Sequence, residues 1–127
     1  MKKVNTKYSV RNGGHYTPGI IHNGLLYVSG QLSVNPETGK KPDGGISEES
    51  KQALKNLESV LKAAGATKND IIQCRLYTPD VSYWPEINEV YAKFFGEHKP
   101  SRVVVPSNAL HGDCLVEIEA IAICKEV

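Results

Sequence analysis

The chain has 127 residues, a length that predicts one domain covering residues 1–127. Apolar residues make up 40% and charged residues 23% of it, so one packed core is feasible and the composition does not indicate disorder. Fifteen Lys and Arg against fourteen Asp and Glu leave a formal net charge of +1. This balance argues against nucleic acid as a partner, because phosphate binding requires concentrated positive charge.

Neither a membrane segment nor a secretion signal is predicted. No window approaches the run of about 20 apolar residues that spans a bilayer, and the charged residues 1–7 have no apolar stretch behind them. The three cysteines, Cys74, Cys114 and Cys124, have spacings that fit neither a disulfide framework nor a metal knuckle. We therefore expect free buried thiols, a cytoplasmic location and no metal.

The first third of the chain has the pattern of short strands broken by turns. Residues 19–22 form a predicted strand, Asn23-Gly24 is a strong signal for a two-residue hairpin turn, and residues 25–28 run back. Ser29-Gly30 is expected to end this second strand, where a glycine permits close approach of a ligand to the backbone.

Two amphipathic helices follow. The first is predicted between Ser47, a good N-cap residue, and Gly65, a residue typical of helix ends. Its apolar stripe comprises Ala53, Leu54, Leu57, Val60, Leu61 and Ala64. The second is predicted from a cap at Ser82 to Gly96, with Pro85 in the first turn, where proline is tolerated.

Three further strands are predicted, at residues 71–77, 102–105 and 114–124. Residues 111–114, His-Gly-Asp-Cys, are expected to form a hairpin turn, since no second ligand pair supports a metal site there. The order of elements predicts the α+β class, with two helices packed on one face of a mixed sheet.

The other face of this sheet also needs a cover. Alternate residues of a strand point to opposite sides. On the last predicted strand one side carries Val116, Ile118, Ala120 and Ala122, and the other carries Leu115, Glu117, Glu119, Ile121 and Ile123. Both sides are largely apolar, and two helices can cover only one of them. We therefore expect a homo-oligomer, for which a closed ring is the natural arrangement.

Arg102 begins an otherwise apolar strand that continues through residues 103–105. A guanidinium beside such a β-branched run is costly to desolvate unless it meets an anion, and arginine can hold a carboxylate through two parallel hydrogen bonds. Two interpretations stay open at this point. Arg102 is either a clamp for a ligand carboxylate or a partner in a structural ion pair with Glu117 or Glu119.

Glu117 and Glu119 are two residues apart on a predicted strand and therefore share one side of it, among Leu115, Ile121 and Ile123. A carboxylate in apolar surroundings has a raised proton affinity and can hold or activate water. The alternative is that both glutamates face solvent or pair with Lys and Arg.

Tyr16 lies in a loop framed by Gly14 and Pro18, where its phenol either lines a pocket or is an ordinary half-buried side chain. Ser29 is not the nucleophile of a G-x-S-x-G elbow, because Tyr27 stands where the first glycine should be. No glycine-rich phosphate loop occurs either, so the sequence supports no nucleotide cofactor.

Five sequence blocks occur in order along the chain. They are residues 28–31 (VSGQ), 34–39 (VNPETG), 88–95 (NEVYAKFF), 100–102 (PSR) and 116–122 (VEIEAIA). Together they resemble the YjgF/RidA family of reactive-intermediate deaminases, and the resemblance extends from about Tyr16 to Ala122.

This resemblance implies a chorismate-mutase-like α+β fold and a homotrimer whose sheets form a central barrel, with a cleft between adjacent subunits. It implies hydrolytic deamination of 2-imino and enamine acids, such as 2-iminobutanoate and 2-iminopropanoate, to 2-oxo acids and ammonia, with no metal or organic cofactor. The partners it implies are small 2-imino or 2-oxo acids and other copies of the chain, without membrane or nucleic acid.

The resemblance also assigns residues. The family's ligand-binding positions fall on Tyr16, Ser29, Gly30, Arg102 and Val104, the last through main-chain groups. Its water-orienting glutamate falls on Glu117. The mechanism it implies is that Arg102 clamps the substrate carboxylate and Glu117 holds the water that attacks the imine carbon.

Some positions depart from the family pattern. Val104 stands where the family often has a cysteine, so any role for a thiol is absent while a role for main-chain groups is kept. Pro106 is expected to bend or end the pairing of its strand. Residues 15–18 also differ from the usual stretch. The alternative function is a non-catalytic protein that binds small carboxylates such as 2-oxo acids in the same cleft, without turnover.

Overall fold

The computed structural model describes residues 1–8 and 13–126. The helices and strands of this part of the chain are β1 (Lys2–Val4), β2 (Gly19–His22), β3 (Leu25–Leu32), α1 (Ile46–Ala64), β4 (Ile71–Thr78), α2 (Trp84–Phe95), β5 (Ser101–Pro106) and β6 (Glu117–Ile123). Short 3₁₀ turns lie at Lys68–Asp70, Val81–Tyr83 and His111–Asp113. The predicted α+β class is confirmed.

The six strands of the described residues form one mixed sheet in the order β1-β2-β3-β6-β4-β5. The pair β4 and β5 is parallel, and the other neighbours are antiparallel. The last strand of the chain, β6, is central, because Ala120 pairs with Val28 of β3 on one side and with Cys74 of β4 on the other. β5 pairs with β4 and forms one edge of the sheet.

Both helices pack on the same face of the sheet and enclose the core. Their apolar residues meet alternate residues of the strands, including Leu26, Leu57, Leu61, Leu76, Ile87, Ile118 and Ala122. Full burial of one such large side chain contributes about 1.5–3 kcal/mol to stability. The apolar stripe predicted for α1 is confirmed, since its members from Ala53 to Leu61 are buried.

The second face of the sheet, here called the open face, is not covered by either helix. On β6, Ile118 is 1% exposed, while Ile123, which points the other way, is 56% exposed. On the same open face, Tyr27 of β3 is 45% exposed and Val103 of β5 is 46% exposed. The expectation that two helices cover only one face is confirmed.

α1 begins earlier than predicted. It starts at Ile46, and Gly45 rather than Ser47 occupies the N-cap position. Gly45 has a φ of 76°, a left-handed conformation that glycine adopts readily, and its carbonyl accepts a hydrogen bond from the Glu49 N–H at 3.0 Å. The prediction that Ser47 caps the helix is therefore wrong, whereas the predicted end at Gly65 is confirmed.

The start of α2 also differs from expectation. Ser82 lies in the 3₁₀ turn Val81–Tyr83, and its N–H donates to Oδ1 of Asp80 at 2.9 Å. Asp80 therefore caps this turn, and the prediction that Ser82 caps α2 is wrong. The helix begins at Trp84, with Pro85 in its first turn as predicted.

Two strands differ from the sequence pattern. β3 does not end at Ser29-Gly30 but runs on to Leu32, with a register shift between Val28 and Gln31 that accommodates the pair as a bulge. The three-residue strand β1 was not predicted, because it is too short to show a period of two.

The connection between β5 and β6 differs as well. β6 begins at Glu117 rather than at residue 114, and it pairs with β3 and β4 instead of β5. Residues 111–114 therefore do not form a hairpin turn; His111–Asp113 is a 3₁₀ turn. Long-range packing decides which strands pair, and a local turn signal carries no information about it.

Three smaller expectations have clear outcomes. Cys74, Cys114 and Cys124 are free and buried, as expected. β5 ends at Pro106, in keeping with the effect of proline on strand pairing. Within residues 1–8 and 13–126, no helix is long and apolar enough to cross a bilayer.

Candidate active site

The bulge in β3 places Ser29 and Gly30 beside the loop that carries Tyr16. The Ser29 hydroxyl donates a hydrogen bond to the carbonyl of Thr17 at 2.6 Å. The Ser29 N–H donates to the carbonyl of Pro18 at 2.9 Å. These two bonds fasten the loop to the strand, so that Ser29 has a structural partner for its hydroxyl as well as a place in the site.

Gly30 is in close contact with Glu117 across β3 and β6. A Cβ atom at position 30 would lie 2.5 Å from Oε2 and 3.1 Å from Cδ of Glu117. Both distances are shorter than an ordinary van der Waals contact. The absence of a side chain at Gly30 is what leaves room for the carboxylate where it stands.

An open pocket of about 730 Å³ surrounds this carboxylate. Its lining includes Gly14, Tyr16, Ser29, Gly30, His111 and Glu117. A second depression, of about 980 Å³, adjoins it along β2 and β3. Four of the predicted site residues, Tyr16, Ser29, Gly30 and Glu117, are thus brought together at one place on the open face.

The pKa of Glu117 is raised, first because the carboxyl group is partly buried and second because Glu119 is negatively charged nearby. His111 acts in the opposite direction, since its positive charge lowers the pKa of Glu117. Among residues 1–8 and 13–126, no hydrogen bond or ion pair engages the Glu117 carboxylate. A carboxylate with a raised pKa and available lone pairs is suited to accept a proton from water.

Glu119 has a different environment, although it lies on the same face of β6. Its Oε1 accepts a hydrogen bond from the Tyr77 hydroxyl at 2.5 Å and lies 3.7 Å from a guanidinium nitrogen of Arg75. The hydrogen bond to Glu119 is also the main reason why the pKa of Tyr77 is raised. The paired interpretation of the two glutamates therefore holds for Glu119 within the described residues and fails for Glu117.

Arg102 lies at the helix side of β5. Its guanidinium donates to Oδ1 of Asn88 at 2.9 Å. The same group lies 4.8 Å from the centre of the Tyr91 ring and 5.7 Å from that of Trp84. The ion pair with Glu117 or Glu119 that the sequence left open is not formed in the described part of the chain; α2 holds the guanidinium instead.

Val104 lies two residues further along β5 and on the same side as Arg102. Its side chain packs against the core, and its residue pairs with Leu76 of β4. Because β5 is an edge strand, the main-chain groups on its outer side point away from the sheet. A ligand role for Val104 therefore depends on its main chain.

The predicted site residues thus form two groups that one chain does not bring together. Arg102 and Val104 are on the helix side of β5, and the Glu117 pocket is on the open face. In addition, β4 lies between β5 and β6. The separation follows from the alternation of side chains along strands and from the strand order.

Sequence reasoning missed three residues next to these groups. Asn88 and Trp84 contact the Arg102 guanidinium, and His111 lines the Glu117 pocket. A signal for Asn88 exists, because it is a polar residue three positions before the buried Tyr91 and so lies on the sheet-facing side of α2. No such signal exists for His111, whose place depends on the path of a connection.

A metal site finds no support in the geometry. Within residues 1–8 and 13–126, no group of three or more His, Cys, Asp or Glu side chains is arranged to hold a metal ion. The polar groups found at the two groups of residues are a guanidinium, a carboxylate, an imidazole and main-chain dipoles.

Comparison with known proteins defines the class. The profile of the family described as Endoribonuclease L-PSP matches residues 6–124. The chain belongs to this family, which is the YjgF/RidA family indicated by the five sequence blocks.

Individual relatives cover almost the whole chain. A 2-iminobutanoate/2-iminopropanoate deaminase of Rattus norvegicus is 34% identical over 122 residues, which cover 96% of this chain and 89% of the relative. A RutC family protein of Pyrococcus horikoshii is 41% identical over 109 residues, 86% of either chain. Among solved structures, E. coli TdcF with bound serine is similar with a TM-score of 0.91 and 33% identity, covering 98% of this chain and 100% of that one. Relatives named as deaminases support imine deaminase activity in the family.

Proposed function

We propose that the chain hydrolyses reactive 2-imino acids, and the enamines in equilibrium with them, to 2-oxo acids and ammonia. The observation that carries this proposal is the Glu117 carboxylate, which lies in an open pocket against Gly30, has a raised pKa and forms no ion pair within the described residues. The mammalian relatives named 2-iminobutanoate/2-iminopropanoate deaminase support the substrate class. These two imines are accordingly the first substrates to test.

Arg102 binds the substrate carboxylate in this proposal. Its contacts with Asn88 and the Tyr91 ring set the position of the guanidinium, and a guanidinium has five N–H donors of which the Asn88 bond uses one. A carboxylate can take two of the others in parallel. Main-chain groups of Val104 at the outer edge of β5 add polar partners beside it.

Glu117 holds and deprotonates the attacking water. The substrate reacts as its protonated imine, the iminium. The water oxygen forms a bond to the iminium carbon, one water proton passes to Glu117, and the C=N π electron pair moves to the nitrogen, giving a neutral carbinolamine. Loss of ammonia from this intermediate leaves the 2-oxo acid. Because imines also hydrolyse unaided in water, correct placement of water and substrate supplies much of the acceleration that is needed.

The active site in this proposal is shared between copies of the chain. Within one chain Arg102 and Glu117 lie on opposite faces of the sheet, so a second copy must supply one of them. Packing of open faces against each other would also cover the apolar side chains of Ile121, Ile123 and Val103. We therefore propose a homotrimer in which three sheets form a central barrel.

Each cleft of this trimer has two sides. One copy supplies Tyr16, Ser29, Gly30 and Glu117, and the next copy supplies Arg102 with the main chain of residue 104. The phenol of Tyr16, which is 49% exposed on its own chain, forms part of the wall.

A second candidate function is binding of small carboxylates without turnover. It is favoured by the solved structure of E. coli TdcF, in which serine is bound to a protein of the same fold. The same cleft would serve, with Arg102 on the carboxylate. This protein would bind a 2-oxo acid in a manner that depends on Arg102 and would show no rate with an imine.

A competition assay tests the reaction. A threonine dehydratase generates 2-iminobutanoate, semicarbazide traps it, and the added protein diverts it to 2-oxobutanoate. We expect the wild type to divert the imine, and Arg102→Ala to lose about 10²-fold in kcat/KM because the carboxylate is no longer positioned. Arg102→Lys keeps the charge without the paired hydrogen bonds and should fall between the two. Lys93→Ala removes an exposed charge from α2 and is the matched control.

Mixing two variants tests the shared cleft. Arg102→Ala and Glu117→Gln are each expected to be inactive. Equal amounts refolded together should regain about one quarter of the wild-type activity. A cleft is complete only when one side comes from the variant that keeps Glu117 and the other side from the variant that keeps Arg102, and each has a chance of about one half. A mixture that stays inactive, although it forms mixed trimers, contradicts the shared cleft. Wild type that binds 2-oxobutanoate through Arg102 but diverts no imine establishes the binding function instead.

A further inference from the structure

One group in the Glu117 pocket has no role in the reaction as described so far. His111 is exposed, lies in the connection between β5 and β6, and lines the same pocket as Glu117, Gly30 and Tyr16. The charge of His111 lowers the pKa of Glu117, whereas burial of the carboxyl group raises it. An imidazole and a carboxylate therefore face one open volume.

The turn that carries His111 has a defined geometry. Gly112 has a φ of 66° and Asp113 a φ of 54°, so both residues are in the left-handed region, and the Asp113 N–H donates to the Leu110 carbonyl at 3.1 Å. The Asp113 carbonyl accepts a hydrogen bond from Nζ of Lys41 at 2.8 Å. The turn is thus fastened to the long loop before α1.

A buried carboxylate fastens the chain on the other side of this turn. Glu49 is 3% exposed, and its Oε1 accepts hydrogen bonds from the Leu115 N–H at 2.9 Å and from the Ser33 hydroxyl at 2.7 Å. Leu115 lies between the turn and the start of β6. His111 and Glu117 are therefore presented to the pocket by a segment held at both ends.

Hydrolysis of an imine needs two proton transfers of opposite direction. Glu117 removes a proton from water when the carbinolamine forms. The nitrogen of the carbinolamine must then gain a proton before the C–N bond breaks, because an amide ion is too poor a leaving group. In this proposal the Glu117 carboxyl group, which has just received the water proton, lies beside the attacking oxygen and not beside the nitrogen. A separate proton donor near the nitrogen therefore speeds cleavage of the C–N bond.

We propose that His111 is this donor, a catalytic general acid in the hydrolysis proposed above, on which this inference rests. The imidazolium gives its proton to the carbinolamine nitrogen; the C–N bond breaks and its electron pair leaves with ammonia. The hydroxyl lone pair forms the C=O bond, and the hydroxyl proton returns to the imidazole. The proton on Glu117 passes to the departing ammonia, which leaves as ammonium, so both groups are restored.

Charged and titratable groups face His111 from several elements. Glu117 faces it from β6, Tyr16 from the loop before β2, Asp113 lies in its own turn, and Lys41 is attached to that turn through the Asp113 carbonyl. Imidazole groups exchange protons near neutral pH, which suits a group that must be an acid in one step and a base in the next.

Substitution of His111 tests the inference in the competition assay. We expect His111→Gln to lower kcat/KM by about 10²-fold, while His22→Gln, a change at an exposed histidine of β2, keeps wild-type activity.

Chemical rescue separates catalysis from structure. Added imidazole should raise the rate of His111→Ala at least about tenfold over the rate of the same variant without imidazole. The double variant His111→Ala/Glu117→Gln in the same buffer measures hydrolysis by free imidazole, which is subtracted. If the wild type is active but His111→Gln keeps its rate, or if imidazole restores nothing to a folded His111→Ala, the inference is wrong while the proposed function stands. If the wild type itself diverts no imine, the proposed function fails and this inference fails with it.

Discussion

The helix-covered face and the open face of the sheet are built from alternate residues of the same strands, yet one face forms the core and the other carries the Glu117 pocket. On β6, Ile118 is buried against the helices, and its neighbour Glu117 faces the pocket. The covered face holds the side chains whose burial stabilises the fold. The open face holds the carboxylate and the exposed apolar residues that the proposed trimer would cover. One strand therefore supplies both the core and the site, separated only by the period of two.

The two glutamates of the open face sharpen this contrast. Glu119 is engaged by the hydroxyl of Tyr77 and by Arg75, and so belongs to a structural network. Glu117 stands against Gly30, and no residue in the described part of the chain forms a hydrogen bond or ion pair with its carboxylate. The comparison teaches that two carboxylates on the same face can differ in their chemistry, because the immediate neighbours decide whether a carboxylate can take a proton.

The largest expected effect separates the two faces by stability. Ile118→Ala should lower the free energy of unfolding by about 2–5 kcal/mol, because it leaves a cavity in the core. Ile123→Ala removes the same side chain from the open face of the same strand, where it is 56% exposed in a single chain and is covered only in the proposed trimer. Its cost should therefore rise with protein concentration, whereas the cost of Ile118→Ala should not. Urea unfolding of both variants at two protein concentrations measures the difference, and an equal concentration dependence would contradict the assignment of the two faces.

The next effect concerns the fit of the carboxylate on the open face. Gly30→Ala should lower kcat/KM by about 10²-fold, since the new methyl group would lie 2.5 Å from Oε2 of Glu117 and push the carboxylate away from the water. The variant should unfold within about 1 kcal/mol of wild type, because the end of a flexible side chain can move aside. A variant with full imine deaminase activity would show that this contact does not position the carboxylate.

The smallest effect tests the electrostatics of Glu117 through stability. Burial and Glu119 raise the pKa of Glu117 in the folded chain above its unfolded value, so folding disfavours the ionised form and the protein loses stability as the pH rises through this window. Glu117→Gln should therefore be more stable than wild type near pH 7, by no more than about 1 kcal/mol because solvent screens a half-buried group.

The pH dependence supplies the control for this last prediction. Below about pH 4 the wild-type carboxyl is protonated in both the folded and the unfolded chain, so the advantage of Glu117→Gln should disappear. Urea unfolding at the two pH values measures it. An advantage of equal size at both values would mean that packing of the amide, and not the charge, is responsible.

Much of the fold was accessible from residue patterns. The apolar stripe of α1, the Asn23-Gly24 turn between β2 and β3 and the uncovered second face all follow from local periodicity and turn chemistry, and all three are found. The grouping of Arg102 with Glu117 came from family resemblance, and the single chain keeps these residues apart. The pair Ser29-Gly30 predicts a strand end, whereas the structure has a bulge there and the strand continues. Small residues such as glycine are common both at strand ends and in bulges, so the local sequence does not distinguish the two.

By itself the sequence determined which residues alternate and which helices form, because these depend on neighbours along the chain. Only the tertiary structure decided that β6 inserts between β3 and β4, that Gly30 meets Glu117, and that a turn expected to be a simple hairpin brings His111 to the same pocket. These contacts join residues far apart in sequence. They are selected by the burial of the whole core, which no local pattern records.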